Sequence, residues 1–208
     1  MSDDEQLLAT VELNEGLTHA ENLHPFIQEL FKRTSLTPKH LNAVAVSAGP
    51  GSYTGLRIGL SAAKGLCYAL NIPLISLNTL QILSAGAIKL IDEKNVTLCA
   101  MLDARRMEIY TAAYNDQLLE VRSTEAKIIG ETSVKDLASD KIIYFFGDGM
   151  PKCKTLLQTI AGAKFLENII PSSANMLNLA LTKYKTKQFE DIAYFEPLYL
   201  KEYFFKTK

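Results

Sequence analysis

The sequence predicts an α/β fold, and two observations support that class. Short apolar runs typical of buried strands alternate along the chain with segments whose apolar residues recur at helical spacing. A chain of 208 residues with 48% hydrophobic composition can also bury a sizeable core. The charged stretch that follows residue 90 suggests a boundary, so we expect an N-terminal lobe over 1–90 and a C-terminal lobe over 91–208.

The N-terminal lobe is predicted to open with a strand over Leu7–Leu13 and to continue with a helix. The helix is indicated by one apolar stripe at helical spacing, Leu23, Phe26, Ile27, Leu30 and Phe31. Proline inside a helix removes a backbone hydrogen bond and costs about 3 kcal/mol. We therefore expect the regular helix to begin near Pro25.

A further strand, Ala43–Ala48, leads into a glycine-rich loop that reads GPGSYTGLRIG over residues 49–59. Glycine-rich turns between a strand and a helix let backbone N–H groups converge on a phosphate. Glycine also serves turns that need only its backbone angles. The spacing fits neither a Walker loop nor a dinucleotide-binding fingerprint, so the pattern alone leaves both interpretations open.

The helix predicted after this loop, Gly55–Leu70, carries unusually small residues in two rows. One row is Gly55, Gly59 and Ala63, and the other is Ser61, Gly65 and Ala69. Each glycine inside a helix costs about 1 kcal/mol relative to alanine, so close packing is expected on one of these rows. The pattern leaves two explanations: packing on the molecule's own sheet, or a flat face against a helix of a partner or a second copy.

The remaining elements follow from shorter patterns. We predict a strand at Ile72–Leu77, a helix at Leu80–Leu90, and a hairpin of Val96–Leu102 with Met107–Tyr114. Further strands are expected near 118–129 and 141–146, further helices at Lys152–Ile160 and Asn175–Tyr184, and a last extended run at Tyr194–Leu200.

Bulk composition narrows the class of protein. The net charge of −1 gives no basic field that would indicate a stand-alone nucleic-acid binder. Three isolated cysteines, Cys67, Cys99 and Cys153, suggest reduced thiols in the cytosol. No apolar run approaches the ~20 residues of a membrane helix, and the acidic start is unlike a signal peptide. We expect a cytoplasmic protein with no membrane partner.

Five strings together resemble one family. They are GPGSYTGLRIG at 49–59, IPLISLNTL at 72–80, DARRMEIY at 103–110, GDG at 147–149 and PLYL at 197–200. These residues resemble the TsaB (YeaZ-like) family of tRNA threonylcarbamoyladenosine biosynthesis proteins, within the glycopeptidase-like, actin-like superfamily. The resemblance implies an actin-like (ribonuclease H-like) two-lobe fold. Members usually begin with a strand such as I-L-x-I-D-T and a hairpin partner, which are missing before Met1, and we expect a truncated start.

The resemblance also implies a function. It suggests a non-catalytic scaffold subunit in the N6-threonylcarbamoylation of adenosine 37 in tRNA, within a threonylcarbamoyl-transferase complex. Its implied partners are the catalytic homologue TsaD and the ATPase TsaE, a second copy of itself when alone, and tRNA through the complex. No cofactor is assigned to this chain, although ATP or ADP at a subunit interface stays open. The alternative is an actin-like ATPase or phosphotransferase, or a glycopeptidase-like metallopeptidase, acting alone.

Two sets of site residues follow. The family's use of these helices for dimerisation implies a partner or dimer interface of Phe26, Leu30, Leu56, Gly59, Leu60, Ala62, Ala63 and Leu66. The glycine loop provides a candidate phosphate site of Gly49, Gly51, Ser52, Thr54, Gly55 and Arg57. We assign no catalytic and no metal-binding residue.

Neither the histidines nor the hydroxyls of the glycine loop are assigned a catalytic or metal-binding role. His19 and His24 are five positions apart, whereas a helical metal pair needs four. A hydroxyl in the glycine loop is better explained as a helix cap than as a nucleophile, and Thr54 is the expected cap.

Three charged features each leave two interpretations open. The turn at 103–108 is a solvated hairpin tip or a partner contact, and Asp148 either binds a cation or phosphate or serves its turn. The C-terminal lysines form a solvated face or contact tRNA: Lys183, Lys185, Lys187, Lys201, Lys206 and Lys208.

Overall fold

The computed structural model describes residues 1–13, 19–130, 134, 136–137 and 141–201. They form two compact units. The first unit combines Met1–Ile82 with Ser172–Pro197, and the second combines Leu83–Pro171 with the segment from Leu198 onward. The first unit is therefore built from two stretches of sequence that are distant along the chain.

The first unit contains two small sheets and three helices, and the start of a fourth. Its elements are β1 (Ser2–Asp3), β2 (Gln6–Leu7), α1 (His19–Thr34), β3 (Val44–Ser47), α2 (Tyr53–Leu70), β4 (Leu74–Leu77), the start of α3 (Thr79–Ala87) and, after the second unit, α5 (Leu177–Lys185). Strands β1 and β2 pair antiparallel, whereas β3 and β4 pair in parallel with Val44 opposite Leu74. The parallel pair is connected through α2, as the predicted order of elements requires.

The core of this unit lies between α2 and the parallel pair. Leu60, Ala63 and Cys67 of α2 pack with Leu74 of β4, and all four are buried. Every residue of β4 is buried, including the polar Ser76 among its three apolar side chains.

Two predictions for the start of the chain were wrong. The strand expected over Leu7–Leu13 is limited to the two residues of β2, and Leu7, Leu8 and Leu13 are 40–52% exposed instead of being buried as in a core strand. Helix α1 begins at His19 and contains Pro25 in its interior. The packing of α1 against α2, with Glu21 in the first turn of α1, outweighs the local cost of the proline.

The second unit is built on a five-stranded mixed sheet in the order β7-β6-β5-β8-β9. Its elements are β5 (Thr97–Asp103), β6 (Glu108–Asn115), β7 (Glu120–Ile128), β8 (Ile143–Phe146), α4 (Lys154–Leu157) and β9 (Ala163–Leu166). Strands β5, β6 and β7 pair antiparallel in series, and β8 and β9 continue in parallel from β5.

The predicted α/β class, the β5–β6 hairpin, and strands β7 and β8 are confirmed. Strand β9 was not predicted, and the extended run expected at Tyr194–Leu200 forms no strand.

The core of the second unit is apolar and holds two of the three cysteines. Cys99, Met101 and Phe145 pack with Cys153 and Leu157, and Phe145 stacks on Phe165 with ring centroids 5.8 Å apart. All three cysteines of the chain are free and buried. Among the described helices, none combines the length and the apolar character needed to cross a bilayer.

The backbone that follows β8 lies in direct contact with the C-terminal end of β5. A Cβ added to Gly147, whose φ is +100°, would lie 2.1 Å from the carbonyl oxygen of Met101. A Cβ added to Gly149 would lie 2.7 Å from the carbonyl carbon of Leu102. Gly149 N–H also donates to Met101 O at 3.1 Å. The two glycines of the GDG string are thus required because the two backbones touch.

We expect Gly147→Ala to lower the free energy of unfolding by about 2–3 kcal/mol, because it adds a backbone clash to a strained φ. The measurement is urea unfolding followed by circular dichroism.

The matched control is Gly65→Ala, since a Cβ at Gly65 in α2 meets no atom within 4 Å. This control should be neutral or stabilising by up to about 1 kcal/mol. Equal unfolding midpoints for the two variants would contradict the close approach of β8 to β5.

Candidate functional site

The glycine loop lies at the carboxyl edge of the parallel β3–β4 pair, where ligands of parallel α/β sheets commonly bind. The loop is tied to β4 and α3 by its backbone. Ala48 N–H donates to Leu77 O at 2.8 Å, and Thr79 N–H donates to Gly49 O at 2.9 Å. Gly49 has a φ of +107° and is buried together with Pro50. Before α2 begins, the exposed residues of the loop are therefore Gly51 and Ser52.

Ser52, not the predicted Thr54, caps helix α2. Its Oγ accepts a hydrogen bond from Gly55 N–H at 3.3 Å, and its carbonyl accepts one from Leu56 N–H at 2.9 Å. Thr54 lies exposed in the first turn. The hydroxyl of Ser52 is thus engaged in a structural role, which agrees with the cap interpretation of this loop.

A positive charge stands beside the start of α2. Arg57 Nη1 donates to the hydroxyl of Tyr53 at 2.6 Å, and its guanidinium lies over the Tyr53 ring at 5.2 Å from the centroid. Tyr53 thereby fixes Arg57 against the first turn of the helix. Together with the helix dipole, this charge makes the exposed edge of the loop suited to an anion.

Two hydroxyls at the same edge were missed by sequence reasoning. Ser47, the last residue of β3, and Thr79, the first of α3, place their hydroxyl oxygens 2.7 Å apart. Asn78 Oδ1 accepts a hydrogen bond from Leu80 N–H at 2.8 Å. The signal that could have found them is their position immediately after two predicted buried strands.

The predicted interface residues of α1 and α2 fall into two groups that differ in burial. Leu60 and Ala63 are 6% and 5% exposed and belong to the core of the first unit. The other six are partly buried: Phe26, Leu30, Leu56, Gly59, Ala62 and Leu66. Leu60 and Ala63 thus offer little surface to a partner.

Two glycines of α2, Gly59 and Gly65, do not pack on the unit's own sheet. A Cβ added to Gly59 or to Gly65 would meet no described atom within 4 Å. Packing against the sheet, the first of the two explanations for these glycines, therefore does not account for either of them.

His24 and His40 are the two histidines whose side chains the structure describes. His24 is exposed in α1, and His40 Nδ1 accepts a hydrogen bond from Thr37 N–H at 3.0 Å, which closes a short turn. In the part of the chain that the structure describes, no three His, Cys, Asp or Glu side chains come together as metal ligands.

The charged turn between β5 and β6 is held by a network instead of being a loose hairpin tip. Lys152 Nζ forms an ion pair with Asp103 and donates to Arg106 O and Glu108 O at 2.8 and 2.7 Å. The Lys152 ammonium holds the pKa of Asp103 below its usual value. Asp148 Oδ1 accepts a hydrogen bond from Asp103 N–H at 2.9 Å, so Asp148 has a structural role in this turn.

The C-terminal lysines are partly engaged. Lys183 Nζ donates to Ser76 O at 2.8 Å, next to the bond of 2.5 Å between Ser76 Oγ and Glu190 Oε1. Lys185 lies 3.5 Å from Glu5, and Lys201 forms an ion pair with Glu108. Lys206 and Lys208 lie outside the described residues.

Comparison with known proteins places these features in a family. Residues 13–199 match a family model described as "TsaD: tRNA N6-adenosine threonylcarbamoyltransferase". The chain is 28% identical over 149 residues to the "tRNA threonylcarbamoyladenosine biosynthesis protein TsaB" of Bacillus subtilis, covering 70% of this chain but only 63% of that protein. The chain thus spans slightly less than two thirds of that relative.

Other relatives and a solved structure agree. The protein of the same name from Haemophilus influenzae is 27% identical over 197 residues, with 88% of this chain and 80% of that protein covered. The structure of YeaZ from Pseudomonas aeruginosa superposes with a TM-score of 0.74 at 22% identity and covers 89% of this chain and 87% of that one. The predicted fold is therefore confirmed.

We expect Ser52→Ala to lower the free energy of unfolding by about 1 kcal/mol, because one N–H of the first turn of α2 loses its cap. Thermal unfolding measures the difference. Thr54→Ala, two residues further on, is the matched control and should change the melting temperature little. A larger loss for Thr54→Ala than for Ser52→Ala would contradict the assignment of Ser52 as the cap.

Proposed function

Because the chain belongs to the family described as TsaD: tRNA N6-adenosine threonylcarbamoyltransferase, we propose that it is a non-catalytic scaffold subunit in tRNA N6-threonylcarbamoyladenosine formation at position 37. The names of its relatives favour this role over an ATPase or a metallopeptidase acting alone. The observation that carries the proposal is the surface of α2 at Gly59, where an added Cβ would meet no described atom within 4 Å.

The proposed interface is the surface of α1 and α2 formed by Phe26, Leu30, Leu56, Gly59, Ala62 and Leu66. These residues are only partly buried, so a docked helix would remove further apolar area from water. Such burial stabilises a complex by roughly 25 cal/mol for each Å² of apolar surface. A glycine without a covering neighbour gives two helix backbones room to approach closely. Leu60 and Ala63 would support this surface from the core side, without touching the partner.

The partners we propose are a homologous TsaD-like catalytic subunit and a TsaE-like ATPase, in the cytoplasm. Without them the same surface would pair with itself, since two-fold dimers use one patch on both copies. tRNA would be bound through the complex.

The exposed edge of the glycine loop would face any nucleotide bound at a subunit interface. Gly51, Ser52 and Arg57 are exposed and near the start of α2, whereas the buried Gly49 is bonded to Thr79. The support for an anion here is the charge of Arg57 beside the helix N-terminus.

We expect Gly59→Trp to abolish co-purification with the TsaD-like protein of the same genome, because the indole would hold the two helices apart. The variant should fold normally, since the space around Gly59 is open in this chain. In cells that depend on this chain, the tRNA content of threonylcarbamoyladenosine, measured by mass spectrometry, should fall with the Trp variant.

Two further variants act as controls. Lys94→Trp places the same side chain on an exposed site of the second unit and should leave co-purification intact. Gly59→Ala should raise the stability of the isolated chain by up to about 1 kcal/mol and weaken the partner complex only mildly. Undiminished co-purification of Gly59→Trp, with unchanged circular dichroism, would refute the interface. Unaltered tRNA modification in cells lacking this chain would refute the function.

A further inference from the structure

The turn between β5 and β6 holds two successive arginines in a backbone conformation that side chains disfavour. The φ angles of Arg105 and Arg106 are 71° and 50°. Turn positions of this kind favour glycine, asparagine or aspartate. Backbone strain of this type concentrates at functional sites, where the function of the exposed side chain offsets the energetic cost of the strain.

The backbone of this turn is fixed from behind. Lys152 Nζ donates to the carbonyl oxygens of Arg106 and Glu108 at 2.8 and 2.7 Å. Arg105 N–H donates to Asp103 Oδ1 at 2.8 Å, and Glu108 N–H donates to Arg105 O at 3.2 Å. These bonds stabilise the positive φ angles of Arg105 and Arg106, which arginine disfavours. The turn is therefore rigid before any ligand binds.

The charges behind the turn are balanced, and those on its tip are not. Lys152 pairs with Asp103, and Lys201 pairs with Glu108. The guanidiniums of Arg105 and Arg106 are exposed, and neither forms an ion pair with a described carboxylate, although the charge of Arg105 is near enough to Asp103 to help lower its pKa. The tip therefore presents two adjacent cations to solvent.

We propose that the Arg105–Arg106 turn binds the phosphodiester backbone of RNA. This inference rests on the proposed function, in which the chain takes part in a reaction on tRNA. A guanidinium matches a phosphate with two parallel hydrogen bonds, and phosphate contacts of this kind position an RNA without reading its sequence.

RNA fits the turn better than an acidic protein segment does. A protein interface needs a desolvated apolar centre around its charged anchors, and Met107, 45% exposed, is the sole large apolar side chain in residues 103–108. The lysines of α5 are weaker candidates, since Lys183 donates to Ser76 O and Lys185 lies beside Glu5.

The test is tRNA binding by the full chain in its proposed complex, measured by fluorescence anisotropy across a range of salt concentrations. Arg105→Gln with Arg106→Gln should weaken binding about tenfold and reduce the salt slope by about 1.5, as expected for two lost phosphate contacts. The matched control, Lys39→Gln with Lys94→Gln, removes the same charge from exposed sites elsewhere and should change the affinity less than twofold.

A second variant separates recognition from folding. Arg105→Asn with Arg106→Gly suits the backbone conformation better, so its melting temperature should rise while tRNA affinity falls as in the glutamine variant. Unchanged tRNA affinity in both arginine variants would overturn the proposal, and so would a loss confined to ADP binding or to partner co-purification.

If the unaltered chain forms no complex, the proposed function fails instead, and the same titration on the chain alone decides the role of the turn. Weakened RNA binding by the arginine variants of the chain alone would support it, and equal binding would overturn it.

Discussion

The contact between the end of β8 and the end of β5 is the constraint on which the second unit depends. At Gly147 and Gly149 the backbone of one segment lies against the backbone of the other, at distances that exclude any Cβ. Because this contact is rigid, it fixes where Asp148 and Lys152 stand relative to β5. The geometry of the charged turn thus depends on Gly147 and Gly149, whose lack of a side chain lets the segment after β8 contact β5.

The glycines Gly59 and Gly65 of helix α2, unlike Gly147, are not required by close contacts inside the fold. Gly147 is needed inside the fold, whereas Gly59 and Gly65 face open space and weaken their helix by about 1 kcal/mol each relative to alanine. Nothing in the described chain offsets that cost, so folding alone does not explain the choice. An association in which another helix comes close to the backbone does explain it, and this is the physical basis of the proposed interface.

Elements with strong periodicity or distinctive turn residues were predictable from the sequence. Helix α2, the glycine loop and the β5–β6 hairpin follow from local patterns. Strand β9 was missed because four residues with a lysine among them carry no clear alternation. The return of residues 172–197 to the first unit depends on contacts distant in sequence, such as Glu190 with Leu74 and Ser76, which local patterns do not encode.

At the candidate site, the sequence located the loop but not the individual roles. Choosing between Ser52 and Thr54 as the cap requires the first helical residue to within one position, and such boundaries are the least predictable part of a helix. The division of α2 into core and outer residues likewise depends on which face meets the sheet. Leu60 and Ala63 satisfy the same spacing rules as their neighbours and are distinguished only by tertiary packing.

Net charge is a poor guide to RNA contact in a molecule built this way. The net charge of −1 is a sum over the whole chain. It includes ion pairs such as Lys152–Asp103 and Lys201–Glu108, whose charges cancel locally, together with charged side chains that form no ion pair. Beyond the Debye length of about 8 Å at physiological salt, exposed charges are largely screened from one another. The proposed RNA contact therefore depends on the local charge of the β5–β6 turn, where Arg105 and Arg106 form no ion pair with a described carboxylate and Lys152 is paired with Asp103.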